Sequence, residues 1–183
     1  PASLAYGAGA FAGGINIITK KDTLSNAYVK TEGGMYGLFG TEARGALKTP
    51  SSVHRLSAGY DRSDGYIANS DYRISNMLWQ SRFDIKNSTL DLQLGYNDKD
   101  YGANTFYTAA YPNQFDDTET IFASIKGETN GQLKVIPVLY WNRHYDCFQL
   151  FRDGTSNIPD WYKGHNYHRS DVFGANLNMQ YAS

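Results

Sequence analysis

His144, Asp146 and Cys147 stand almost side by side. Imidazole, carboxylate and thiol are the groups that activate a nucleophile or hold a metal ion. In extended chain, however, successive side chains point to opposite faces. His144 and Asp146 then share one face and Cys147 takes the other, so no triad assembles locally. His165 and His168 are two imidazoles without cysteine or carboxylate at metal spacing. Acidic residues gather as Asp61, Asp64 and Asp71, as Asp98 and Asp100, and as Asp116, Asp117 and Glu119. Calcium needs several oxygens converging at ~2.3–2.6 Å, which such groups supply only if loops bring them together. No EF-hand spacing is present. Two carboxylates suffice for glycoside hydrolysis, but nothing marks a pair. The expectation is therefore a non-enzyme with no catalytic residue, no metal ligand and no cofactor; calcium in the loops lacks a supporting motif.

The stretch from Tyr101 to Phe115 points to binding instead. It interleaves Tyr101, Phe106, Tyr107, Tyr111 and Phe115 with Asn104, Asn113, Gln114 and hydroxyls. Rigid amphipathic rings beside amides give contact area at low entropic cost. Tyr101, Asn104, Phe106, Tyr107, Tyr111 and Asn113 are the candidate ligand-binding residues. The same composition also suits a self-packed loop tip.

These groups need a scaffold, and composition narrows it. The net charge of −1 gives no footprint for nucleic acid. Mean hydropathy is −0.53, and no run approaches the ~18–20 apolar residues of a membrane helix. Strands that cross a membrane leave only a weak hydropathy signal, and aromatics at 15%, with 15 Tyr and 3 Trp, suit interfacial girdles. One cysteine excludes an internal disulfide.

Alternation is the strongest pattern. Leu90, Leu92, Leu94 and Tyr96 alternate with Asp91, Gln93, Gly95 and Asn97; Phe173, Ala175, Leu177, Met179 and Tyr181 alternate with Gly174, Asn176, Asn178 and Gln180. Such runs have one apolar and one polar face. They approach the ~9–11 residues of a membrane strand rather than the ~5–6 of soluble sheets. The spacing predicts eight strands, at 27–36, 39–48, 53–63, 72–86, 89–100, 117–128, 131–149 and 167–182. Short turns near Thr49–Ser52, Asn87–Ser88 and Thr129–Gly131 alternate with long connections at 64–71, 101–116 and 150–166; the short hairpin near Gly37 is an exception. Short turns on one side and long loops on the other mark an outer-membrane barrel. A soluble glycan-binding β-sandwich is the alternative, with a core closed between two sheets. Pro137, inside a predicted strand, calls for a bulge or an unpaired donor position.

The first residues add a resemblance. Tyr6, Gly7, Gly9, Gly13, Gly14 and the strand Ile15-Asn-Ile-Ile-Thr-Lys20 occur in that order after Pro1-Ala-Ser. This pattern resembles the end of the plug domain of TonB-dependent outer-membrane receptors, Phe11-Ala12 departing from the small pair common there. The stretch Tyr101–Phe115 resembles the subgroup from Bacteroidetes-type bacteria grouped with cobalamin and iron-complex receptors. Ser63-Asp-Gly-Tyr66 with Asn69-Ser-Asp-Tyr72 resembles the loop before its fourth barrel strand, as does Arg143-His-Tyr-Asp146, where Cys147 departs from the usual polar residue. The resemblance implies an all-β chain, 1–21 ending the plug and 22–183 opening a transmembrane antiparallel meander, about eight strands of a ~22-stranded barrel. It implies a fragment whose targeting sequence lies upstream, located in the bacterial outer membrane. It also implies uptake of a scarce bulky nutrient, cobalamin or an iron–siderophore complex. The implied partners are the TonB energy-coupling complex, reached through an upstream segment, the nutrient, outer-membrane lipid and a surface lipoprotein, with no nucleic acid. Three geometric expectations follow: both apolar registers share one outward face, 27–36 and 167–182 are free edges, and Pro1–Lys20 lies against the concave side.

Overall fold

The computed structural model describes residues 25–181. The expected position of Pro1–Lys20 lies outside them. Eight strands form one antiparallel sheet in chain order: β1 (Asn26–Gly33), β2 (Phe39–Lys48), β3 (Ser52–Ser63), β4 (Tyr72–Ile85), β5 (Ser88–Gly102), β6 (Phe115–Thr129), β7 (Leu133–Gln149) and β8 (Asn166–Tyr181). No helix occurs among the described residues. Strand lengths run from 8 residues in β1 to 17 in β7. Within the described residues β1 pairs only with β2 and β8 only with β7, so the sheet is open. Closure into an eight-stranded barrel is absent from them, as is the second sheet that the alternative sandwich would need.

The register explains the alternation. Leu56, Trp79, Leu94, Ala123, Trp141 and Phe173 are successive cross-strand neighbours from β3 to β8. The next row toward the short turns runs His54, Ser81, Leu92, Ile125, Leu139, Ala175. These rows contain no Asp, Glu, Lys or Arg. Both predicted apolar registers thus share one face, with Leu177 and Met179 below Ala175. In β6 Phe122 interrupts the run of apolar residues on alternate positions. It sits on the opposite face beside Gly95, while Ile121, Ala123 and Ile125 keep to the apolar one.

The single polar side-chain chain in this belt satisfies itself. His54 Nδ1 lies 2.7 Å from Ser81 Oγ, and His54 Nε2 lies 3.0 Å from Ser52 Oγ, which in turn meets Thr49 Oγ1 at 2.7 Å. Buried polar groups bonded this way escape most of their desolvation cost.

The opposite face is polar. Arg55, Gln80, Gln93, Ser124 and Tyr140 form one row, and Asn76, Asn97, Thr120 and His144 another. Apolar and polar faces are both left uncovered. Leu94 is 49% exposed, Leu139 55% and Phe173 75%, and the buried apolar residues are Ala103, Phe115 and Phe151, all at the loop end. A soluble sheet buries its apolar face against a second layer; among the described residues this sheet has none.

Pro137 is accommodated at a break. The β6–β7 ladder stops at Lys126–Val138, one residue short of it. Beyond the break the Thr129 hydroxyl substitutes for the ladder, accepting from Val135 N–H at 2.9 Å and donating to Leu133 O at 3.2 Å. The hairpin near Gly37 closes through Tyr36 and Gly37, with φ of 58° and 64°. Two successive positive φ values make the turn that fits strand twist.

Candidate functional site

The long connections, and with them the short hairpin at 34–38, lie at one end of the sheet, opposite the turns at 49–51, 86–87 and 130–132. They occupy 34–38, 64–71, 103–114 and 150–165. Each is bonded to the next: Asp64 N–H donates to Tyr36 O, Asn104 N–H to Asn69 O, and Arg152 N–H to Asn113 O. Gly102 matters here, since a Cβ on it would come within 2.6 Å of the Asn69 backbone.

Two side chains shape this cap. Gln114 is fully buried. Its Oε1 accepts from Tyr107 N–H at 3.2 Å, and its Nε2 donates to Thr108 O at 3.2 Å and Tyr111 O at 2.9 Å. One amide thereby folds 103–114 around itself. Arg152 clamps the loops together. Its Nη1 and Nη2 donate to Asp71 Oδ1 and Oδ2 at 2.6 and 2.7 Å, Nη1 also reaches Asn69 Oδ1 at 3.2 Å, and the guanidinium lies 4.2 Å from the Phe115 ring centre. The bidentate fork is the strong form of this pair. Asn69, at φ 56°, donates to Pro112 O and Gln114 O.

The Arg152 hydrogen bonds hold the Asp71 carboxyl below its usual range, against an opposing effect of burial. A depressed carboxyl contributes stability that is present above the unfolded value, ~3.9, and lost as pH falls through the folded one. The loop cap should therefore stay closed down to about pH 4 and open below it. Protease accessibility of 150–165 against pH checks this. In Arg152→Gln the opening should already be present at neutral pH, and an unchanged profile would contradict the clamp.

The predicted binding residues divide. Tyr101 belongs to β5, not the loop, because β5 continues pairing to Gly102 opposite Phe115. Its hydroxyl donates to Asp116 Oδ2 at 3.0 Å, and Tyr107 donates to the same oxygen at 2.7 Å. That bond, then burial, raises the Tyr107 pKa. Asn104 spends its amide on Ala68 O at 2.7 Å. Tyr111 packs against Phe151 and Trp161, at 5.3 and 6.1 Å between ring centres. Phe106 stays 76% exposed and Tyr107 54%; Asn113 is exposed, its carbonyl taken by Arg152.

The sequence reading missed the last loop. Trp161, 56% exposed, touches Phe151 and Tyr162; Tyr162 continues to His165, and His165 to Tyr167. On the other side Phe106 meets Tyr107 and Tyr107 meets Phe148. Phe148, Trp161, Tyr162 and His165 line a groove of about 480 Å³ together with Lys163 and Asn166.

The other chemical candidates disperse. His144 faces Thr120 Oγ1 at 2.8 Å, Asp146 pairs with His168 at 3.0 Å, and Cys147 lies opposite Asp117 on the other face. His165 instead meets the Tyr162 hydroxyl at 2.9 Å and Asp153 at 3.1 Å. Asp98 faces Glu119 and Asp100 faces Asp117 across β5 and β6. Among the described residues no three His, Cys, Asp or Glu side chains are arranged to hold a metal ion. Comparison with protein families, curated proteins and solved structures finds no match for the chain.

Proposed function

We propose that this chain is a section of the barrel wall of a TonB-dependent outer-membrane receptor, with the loop end outside the cell. One observation carries the reading: among the described residues, a single-layer sheet with a continuous, exposed apolar belt whose two central rows hold no Asp, Glu, Lys or Arg across β3–β8. Lipid is the covering such a face suits. From Phe173 to Tyr181 the apolar register of β8 spans about 26 Å along the strand, close to the apolar band of such barrels. Above it, Trp141, Tyr145 and Arg143 stack, the guanidinium 5.1 Å from the indole centre, as suits the headgroup level. The alternation of tight turns and long loops supports the same orientation.

The free edges of β1 and β8 need neighbours, since unpaired backbone groups are costly in hydrocarbon. Further strands of a larger barrel supply them. The polar face then borders a hydrated lumen, and Pro1–Lys20 resembles the end of the plug domain of such receptors. In this reading the loops capture a bulky nutrient, of the cobalamin or iron–siderophore kind, and the TonB complex drives its entry. A soluble glycan-binding sandwich fits less well because, among the described residues, the apolar face has no facing sheet. Fractionation of the intact protein in its native host tests the proposal. It should enter the outer-membrane fraction, resist carbonate extraction and need detergent to stay monodisperse. A monomer stable in aqueous buffer would overturn it.

A further inference from the structure

Resting on the receptor reading, we propose that the groove between Phe148 and Trp161 takes an uncharged ring-shaped ligand whose rim carries hydroxyl or amide groups. Its walls are rings: Phe148 on one side, backed by Tyr107, and Trp161, Tyr162 and His165 on the other. Rings in this arrangement cover a flat apolar ligand face. The polar groups are few, namely the Asn166 amide, the Tyr162 hydroxyl and the His165 imidazole. A small number of placed polar groups in an apolar cleft fixes orientation.

Charge decides the class. Lys163 is the one Lys or Arg lining the groove, and its Nζ already donates to Asp160 O at 2.7 Å. Asp153 stands beside His165, 82% exposed, and adds a negative charge at the mouth. A polyanionic ligand would meet one engaged cation and a facing carboxylate, where recognition calls for complementary potential. The face below repeats the character. Phe148 and Asn166 lie opposite each other on the polar side of the sheet. Down that side come Asp146 and His168, paired with each other at 3.0 Å, then Thr120 and His144 with Asn97 and Asn76, then Gln80, Gln93 and Ser124. Amides and hydroxyls exchange hydrogen bonds with a hydroxylated or amide-rimmed solute, and the nearest Arg in these rows, Arg55, lies at the far end of the Gln80–Gln93 row.

Two sources share this chemistry, an oligosaccharide and an amide-rimmed macrocycle, and calorimetry on the intact protein in detergent separates them. The probes are cellohexaose, cyanocobalamin and a ferric tricatecholate trianion. At least one of the first two should bind saturably, with affinity little changed by salt, and the trianion should not bind. Trp161→Ala should weaken that binding about tenfold or more, the scale of a buried aromatic anchor. Trp161→Phe should restore most of it, and Lys163→Met should leave it unchanged. Binding of the trianion, failure of both neutral probes, indifference to Trp161→Ala, or loss with Lys163→Met would each overturn the assignment. Trianion binding by a protein that still fractionates with the outer membrane would remove the ligand class and leave the receptor reading standing.

Discussion

Leu94→Arg should block insertion of the protein into lipid vesicles, while Gln93→Arg, one residue away, should leave it nearly intact. The two positions lie on opposite faces of β5 in the middle of the sheet. Leu94 has Trp79 and Ala123 as cross-strand neighbours; Gln93 has Gln80 and Ser124. A cation at the lipid-facing midplane of a barrel costs about 2–4 kcal/mol. On a water-lined face it costs little. Leu94 is 49% exposed, so crowding of a packed core cannot account for a large effect there. The folded fraction in vesicles, read by the heat-dependent shift in electrophoretic mobility, makes the comparison. Equal tolerance of both substitutions, or a larger loss with Gln93→Arg, would contradict the face assignment.

The second large effect should come from Gln114→Leu. Leucine keeps much of the volume and removes both polar ends. Tyr107 N–H, Thr108 O and Tyr111 O then lose the partner that the buried amide provides. Each group left unsatisfied costs about 1–3 kcal/mol, partly relieved where water reaches it. Residues 103–114 should unwind from the cap, and Tyr111 should leave its contacts with Phe151 and Trp161. We expect proteolytic cleavage between 104 and 113 in the variant and not in the parent. Ligand capture should fall with it, while assembly of the sheet stays unchanged, because Gln114 precedes β6 and contributes no rung to the ladder. Capture at the parental level together with rapid cleavage would separate this loop from binding.

How much of this was legible in the sequence differs between sheet and cap. The strands were readable because alternation is local and strongly periodic. Leu90, Leu92 and Leu94 declare a face without reference to any neighbour, and the predicted strand starts and ends lie within a few residues of those found. The register between strands was also implied, since tight turns such as Lys86-Asn87 leave a hairpin little room to slip. Pro137 called for a bulge or an unpaired donor position, and the β6–β7 ladder stops one residue short of it. The cap was less legible. Its bonds join residues far apart in sequence, and Arg152 reaches back to Asp71 with nothing local to announce the pair. Gln114 looked like another loop amide, and only burial reveals its role. Trp161 and Tyr162 carry an aromatic signal as strong as that of Tyr107 and Tyr111. The signal was missed because they are separated from the richer cluster by a whole hairpin. Asp116 was read as a possible calcium ligand, whereas its carboxylate is taken by the hydroxyls of Tyr101 and Tyr107.

The central claim is that one face of this sheet meets lipid and the other meets water. Spin labels on single cysteines at positions 89–97 of β5, with Cys147→Ser as background, test it most directly in reconstituted vesicles. Collision with oxygen, which concentrates in hydrocarbon, and with a water-soluble nickel chelate should each vary with a period of two along the strand. The account predicts opposite phases: oxygen highest at 90, 92 and 94, nickel highest at 91, 93 and 95. Both rates low together at 90, 92 and 94 would place these side chains in a protein core between two sheets, and would contradict the account.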